Sequence, residues 1–209
     1  MSEVSLTVAT AGQMRALGRS LATVLRAGDL VLLSGGLGAG KTTLTKGIGD
    51  GLGVRGPITS PTFVIARVHP PVGSAPATAE LRPALVHADA YRLASVLELD
   101  DLDLDTDSAA AVTVVEWGGG LAEGLATDRL EITITPVKAD ALVAGGSVAG
   151  GPVVGGPVVG DTPDGGHGAE RTGDPDDPTV DAPRAVRIST VGERWEGIKL
   201  PLASLADRL

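Results

Sequence analysis

The sequence predicts an α/β protein of three layers, in which helices cover both faces of a mixed, mainly parallel sheet. Two observations support this fold class. Short, continuous apolar runs, LVLL at residues 30–33 and VTVV at residues 112–115, are typical of strands buried on both faces. Segments with apolar residues at helical spacing alternate with such runs along the chain, as expected of an α/β layer architecture.

The elements follow from local signals. Thr10 and Gln13 form a capping box that begins a helix, and Gly28 is predicted to end it. A second helix is predicted over residues 41–52, closed by Gly53. Strands are predicted at residues 30–33, 63–68, 84–88, 112–115, 130–134 and 186–190.

Residues 139–183 differ from the rest of the chain in composition. Glycine and proline make up 17 of these 45 residues, and the segment carries a net charge of −7 out of −9 for the whole chain. Such a composition buries too little apolar surface to fold. We therefore predict a disordered low-complexity insertion within a single folded domain formed by residues 1–138 and 184–209.

Composition excludes several classes of protein. With 209 residues, 43% of them hydrophobic and none of them cysteine, the chain predicts a globular cytoplasmic protein without disulfides or thiolate metal sites. No apolar run approaches the ~18–20 residues of a membrane helix, so no membrane association is expected. A net charge of −9 and 2% aromatic residues do not match the basic or base-stacking surface of an RNA-binding protein. Any role near RNA is expected to be indirect, through protein partners.

One motif carries most of the chemistry. Residues 35–42, GGLGAGKT, match G-x-x-x-x-G-K-[ST] and lie between a predicted strand and a predicted helix, which makes the expected fold that of a P-loop NTPase. Small residues let backbone N–H groups approach phosphate oxygens. Lys41 would bind the β- and γ-phosphates of ATP, and the Thr42 hydroxyl would bind Mg²⁺. The candidate phosphate-binding loop consists of Gly36, Leu37, Gly38, Ala39 and Gly40.

Two carboxylates end neighbouring apolar strands. A P-loop site needs a second metal anchor of this kind, and both Asp89, at the end of LVHAD, and Glu116, at the end of VTVVE, are candidates. Either one could also orient the attacking water. His87, two residues before Asp89, is interpreted as local structure.

Four stretches together resemble a known family. GGLGAGKTTLTKGIGDGLG is followed by ITSPTFVIARVH, LVHADAYRL and VTVVEWGGGLAE, and their order and spacing are similar to those of the TsaE (YjeE) family. That family is the small ATPase of the bacterial machinery that makes N6-threonylcarbamoyladenosine in tRNA. The resemblance covers about residues 5–135.

The resemblance implies roles for the residues of the phosphate site. Lys41 matches the phosphate-binding lysine, and Thr42 and Thr43 match the metal and phosphate site. Glu116 matches the second Mg²⁺ ligand of the family. Asp89 matches an acidic residue associated with hydrolysis.

Further positions are implied around that site. Ser60 and Thr62 match a switch-like loop near the γ-phosphate, and Trp117 matches a tryptophan beside the nucleotide. Thr10 lies where the family's N-terminal segment approaches the base. The chain departs from the family at Gly36, where an aspartate is usual, and this departure could change the rigidity of the loop.

The motifs favour an ATPase, and the family resemblance implies that it acts on the TsaB and TsaD subunits and reaches tRNA only through them. Two alternatives remain. A small-molecule P-loop kinase would need an acceptor pocket and usually a lid that bears an arginine, for which Arg92 near Asp89 is a candidate. A nucleotide-dependent switch is the other, although the guanine motif N-K-x-D is missing and D-x-x-G has no match at Asp89.

Overall fold

A computed structural model describes residues 2–61, 66–73, 82–90, 110–117, 126–137 and 182–202. The chain divides into two units, Met1–Val137 with Thr179–Leu209, and Lys138–Pro178. All of the described residues belong to the first unit. The predicted insertion at 139–183 lies outside the described residues except for Ala182 and Pro183, so its disorder stays a prediction.

The described part of the chain forms one mixed sheet. Its four central strands, in the order β6-β2-β5-β4, run parallel, whereas β7 and β1 on one side and β3 on the other are antiparallel to their neighbours. The fold is therefore the predicted mixed α/β fold. The strands are β1 (Ser2–Val8), β2 (Leu30–Gly35), β3 (Ala66–His69), β4 (Ala84–Asp89), β5 (Ala111–Glu116), β6 (Arg129–Pro136) and β7 (Arg184–Val191), and the helices are α1 (Ala11–Ala22) and α2 (Lys41–Leu52).

Both α-helices contact the same face of the sheet. Apolar side chains of α1 and α2 share a core with alternate residues of the central strands, for example Leu33 and Ile132, which are at most 1% exposed. The other face carries a smaller cluster that includes Leu32 and Val115. The described residues thus form two of the three predicted layers, the sheet and the helices on one of its faces. The prediction of a third layer concerns residues outside the described ranges. No helix in the described ranges is long and apolar enough to cross a membrane.

Helices α1 and α2 approach each other with their backbones nearly touching. A Cβ atom on Gly47 would collide with the carbonyl oxygen of Arg15, and one on Gly18 would lie 2.7 Å from the backbone nitrogen of Ile48. Only glycine permits this separation. The helices run side by side in the same direction, so the start of α1 lies next to the start of α2.

The end of α1 corrects one prediction. The helix ends at Ala22, not near Gly28. The Thr23 hydroxyl donates to the carbonyl of Ser20 at 2.7 Å, and the Asp29 carboxylate accepts from the backbone N–H of Arg26 at 2.9 Å, so side chains stabilise a turn in place of further helix. Gly28 adopts a left-handed conformation within that turn.

Strand β1 is absent from the sequence-based prediction. Apolar residues alternate at Val4, Leu6 and Val8, but most of the strand is exposed and its partner β7 lies about 180 residues later. Strand β3 covers Ala66–His69, which overlaps the predicted strand at 63–68, whose first three residues lie outside the described ranges.

Candidate functional site

The site lies where parallel strands β2, β4 and β5 end. Leu33 pairs with Glu116 across β2 and β5, and Asp89 pairs with Glu116 across β4 and β5. This register brings the two carboxylates of the sequence prediction to the edge where β2 continues into the glycine-rich loop. Ligands of open α/β sheets bind at this edge.

The glycine-rich loop leads into the N-terminus of α2 at the site. Gly40 precedes α2 with φ = 106°, in the left-handed region that favours glycine, and it gives α2 no side-chain cap. The first N–H groups of a helix have no partner within the helix, and together with the helix dipole they bind anions. The loop therefore has the geometry that phosphate oxygens require.

Lys41 is held at the base of the loop. Its Nζ donates hydrogen bonds to the carbonyl oxygens of Gly35 and Gly36, both at 3.0 Å, and lies 3.8 Å from the centre of the Trp117 ring. The side chain is buried, and desolvation lowers the pKa of Lys41, whereas the charge of Glu116 acts in the opposite direction. A polyphosphate would offer this ammonium group stronger acceptors than the two carbonyls.

Glu116 joins the loop to the sheet. Its Oε1 accepts a hydrogen bond from Thr42 Oγ1 at 2.9 Å and lies 2.8 Å from His87 Nε2. Because a carboxylate only accepts, His87 carries its hydrogen on Nε2 and donates it. The side chain of His87 is fully buried, and its Nδ1 has no hydrogen-bond partner among the residues that the structure describes. One oxygen of Glu116 is thus fixed by two donors.

Trp117 has a strained backbone. With φ = 62° it is the one non-glycine residue in the described ranges with a positive φ, and its N–H still donates to the carbonyl of Leu33 at 2.9 Å. Such conformations cost roughly 1–3 kcal/mol and occur mainly at functional sites. Here the unusual turn after β5 places the Trp117 ring against Lys41.

The oxygen donors fit Mg²⁺. The ion prefers hard oxygen ligands and usually keeps water and phosphate oxygens in its coordination shell. The Thr42 hydroxyl and the Glu116 carboxylate are two such ligands at adjacent positions. Within the described ranges, no three His, Asp or Glu side chains are grouped to hold a metal, so phosphate oxygens and water would complete the shell.

A shallow, open pocket adjoins the loop. Thr10 lies in its wall and also caps α1, since Thr10 Oγ1 accepts from the backbone N–H of Gln13 at 3.2 Å. Lys41 and Thr42 are not part of the lining. The pocket is lined by Val8, Ala9, Thr10, Ala11, Met14, Gly38, Ala39, Gly40, Thr43, Ala182 and Arg184.

The remaining predicted residues occupy varied positions. Leu37, at the tip of the loop, is 96% exposed. A Cβ atom on Gly36 would meet nothing within 4 Å, so the loop does not require glycine where the family usually has aspartate. Ser60 is exposed, and Thr62 lies outside the described residues.

Three residues of the site were not predicted. His87 contacts Glu116 directly, which corrects its interpretation as local structure beside Asp89. The sequence did contain a signal for this contact. Residues two apart on a strand lie on the same face, so His87 shares a face of β4 with Asp89, and Asp89 pairs with Glu116 on β5. Met14 and Arg184 line the pocket, and for Arg184 no local signal existed, since the low-complexity segment separates it from every motif.

Comparisons with known proteins identify the family of the chain. The family model described as threonylcarbamoyl adenosine biosynthesis protein TsaE matches residues 8–141. The chain belongs to the TsaE family. This confirms the family resemblance drawn from the four motifs.

Relatives from several bacteria support the assignment. The tRNA threonylcarbamoyladenosine biosynthesis protein TsaE of Streptomyces coelicolor is 60% identical over 128 residues, which are 61% of this chain and 82% of that protein. The Mycobacterium leprae protein of the same name is 53% identical over 59% of this chain and 76% of its own length. The crystal structure of Bacillus subtilis YdiB matches 99% of this chain and 96% of that chain with a TM-score of 0.59 at 22% identity, and it shows the fold.

Proposed function

We propose that this TsaE-family protein binds ATP with Mg²⁺ and hydrolyses it, and that it acts on the TsaB–TsaD complex in tRNA threonylcarbamoyladenosine modification. The observation that carries the proposal is the 2.9 Å hydrogen bond from Thr42 to Glu116. It joins the hydroxyl of a Walker A loop to a carboxylate at the end of the neighbouring strand, which is the pair of oxygens a P-loop NTPase uses for its metal.

The residues would divide the work as follows. Backbone N–H groups at the start of α2 and the Lys41 ammonium stabilise the negative charge that develops on the phosphate oxygens during hydrolysis. Thr42 and Glu116 hold Mg²⁺, which when bound supplies further positive charge to those oxygens. Asp89, 4% exposed and paired in register with Glu116, is the carboxylate left to orient the attacking water.

The two donors on Glu116 support this division. Thr42 and His87 both bind Oε1, which leaves Oε2 as the carboxylate oxygen for the metal or one of its waters. The metal role therefore belongs to Glu116 in this scheme, and the hydrolytic role to Asp89.

The pocket beside the loop would take the base and the ribose. It adjoins Thr43 and the loop residues Gly38–Gly40 but not Lys41 or Thr42, so it lies away from the residues that bind the terminal phosphates. Its walls are mainly apolar, as expected of a site for a planar base. Thr10 in this wall supports the position that the family resemblance implies for it.

The charge and the aromatic content of the chain favour action through protein partners. A chain with a net charge of −9 and 2% aromatic residues has little means of holding tRNA directly. Membership of the TsaE family nevertheless connects this protein to a tRNA modification. TsaB and TsaD would therefore contact the tRNA, and ATP hydrolysis by this chain would act on their complex.

Steady-state phosphate release with and without TsaB and TsaD of the same organism tests the proposal. We expect slow release by the full chain alone and a several-fold increase when both subunits are added, because a partner that contacts the segment around Ser60 can position the attacking water. Lys41→Ala, which removes the lysine of the loop, serves as the inactive control. An unstimulated rate together with rapid phosphorylation of a metabolite would refute the proposal and favour the kinase, whose candidate Arg92 lies outside the described residues.

A further inference from the structure

We propose that three exposed arginines at the β3 end of the sheet, Arg55, Arg67 and Arg82, form a docking surface for an acidic segment of a protein partner. The inference rests on the proposed function, because it takes the TsaB–TsaD complex as that partner. It goes beyond that function in naming the surface of this chain and the charge that the partner must present there.

Backbone contacts at the ends of α2 and β3 bring two of these arginines together. The carbonyl oxygen of Gly53, which caps α2, accepts from the N–H of Val72 at 2.8 Å. The backbone N–H of Arg55 donates to the carbonyl oxygen of Pro70, also at 2.8 Å. The guanidinium of Arg82 lies over Gly53, where an added Cβ atom would be 2.6 Å from Nη1. Arg55 and Arg82 therefore flank the segment that joins the two elements.

Arg67 extends this surface toward the nucleotide site. It lies on β3 opposite His87, and its Nη1 donates to Thr59 Oγ1 at 3.3 Å. Thr59 directly precedes Ser60 in the chain. A partner docked on the arginines would therefore contact the segment through which we expect it to position the attacking water.

The positive charges of this surface are unpaired within the described part of the chain. No acidic side chain in the described ranges forms an ion pair with any of the three arginines, whereas Arg15 and Arg19 both bind Asp50. The chain as a whole has a net charge of −9. A local group of positive charges on an acidic chain is complementary to an acidic partner surface, and such complementarity steers association and selects the partner.

The neighbouring groups favour a protein segment over RNA. Val72 is 58% exposed beside the arginines, and Val68 on β3 is 48% exposed. Because β3 is the last strand of the sheet in the described ranges, its outer edge offers main-chain groups to an extended segment. The two tryptophans in those ranges lie elsewhere, Trp117 against Lys41 and Trp195 in the core, so neither provides a base-stacking surface beside the arginines.

Binding of full-length variants to the purified TsaB–TsaD complex tests this assignment. Arg55→Glu and Arg82→Glu each reverse one charge and leave the bond between Arg67 and Thr59 in place. We expect each to raise the dissociation constant, measured by calorimetry, about fivefold, which is ~1 kcal/mol, because reversal replaces attraction with repulsion. The double variant should lose ~25-fold in affinity if the two effects add, and the dissociation constant of the wild type should rise more steeply with NaCl concentration than that of the double variant.

A matched control separates docking from loss of fold. Arg187→Glu reverses an exposed charge on β7, on the other side of the sheet from β3, and should bind the complex like the wild type. Thermal melts and ATP binding with Mg²⁺ should be unchanged in all of these variants. Arg55→Gln and Arg82→Gln remove the charge without reversing it, so they should show smaller losses of the same kind and would replace a glutamate variant that failed to fold.

Three results would overturn the inference. Equal binding of the complex by the wild type and the double variant would do so and leave the proposed function intact. A double variant that loses binding of tRNA, or self-association, but keeps its affinity for TsaB–TsaD would assign the surface to RNA or to a second copy of the chain. A wild-type chain that the complex neither binds nor stimulates would overturn the proposed function as well.

Discussion

The buried bond between His87 and Glu116 allows a quantitative test of how the site is built. In His87→Leu, Glu116 loses one of the two donors to Oε1. A hydrogen bond to a charged group contributes about 1.5–3 kcal/mol, while removal of the unpartnered Nδ1 recovers part of this, on the order of 1 kcal/mol. We therefore expect a net destabilisation of about 0.5–2 kcal/mol, which corresponds to ~1–8 °C in Tm for a chain of this size.

The same substitution should affect metal-dependent binding. With one donor removed, the Glu116 carboxylate is less well oriented, so ATP affinity should fall in the presence of Mg²⁺ and stay unchanged in EDTA. His87→Gln is the matched control, because its amide can place an N–H near the position of Nε2. Thermal melts and calorimetry of the three proteins decide the matter: a leucine variant that melts with the wild type, or that loses affinity equally in EDTA, would refute the positioning role of His87.

Two further predictions concern the charged groups of the site. Glu116→Gln should weaken Mg²⁺-dependent ATP binding at least tenfold, whereas Asp89→Asn should bind ATP normally and release phosphate at least 100-fold more slowly, ~3 kcal/mol in barrier; the opposite pattern in binding and single-turnover assays would exchange their roles. Lys41 has a folded-state pKa below its ordinary value of 10.5 because burial disfavours its charge, so the unfolded chain binds more protons in that window and the stability of the wild type should rise as the pH increases toward 10.5. Lys41→Met lacks this titrating group. Its free energy of unfolding relative to that of the wild type, measured by urea unfolding, should therefore decline over the same pH range. A difference independent of pH would contradict the burial argument.

Elements defined by local interactions were predictable from the sequence. The predicted helix at 41–52 has the bounds of α2, Lys41–Leu52, because Gly40 and Gly53 adopt left-handed conformations at its two ends. The capping box of Thr10 and Gln13 forms with both of its hydrogen bonds. Each of these features depends on residues within about four positions of one another. The end of α1 was mispredicted where a side-chain turn near Asp29, not a glycine cap, replaces the helix.

Strand register, and with it the contacts of the site, came only from the tertiary structure. The sequence identified Asp89, Glu116 and the Walker A loop as candidates, since a strand-end carboxylate and a glycine-rich loop have recognisable local patterns. The contact of His87 with Glu116 and the arrival of Arg184 at the pocket depend on which strands pair and in which direction. That choice is made by burial of apolar faces summed over strands far apart in the chain, a quantity to which no short stretch of sequence corresponds.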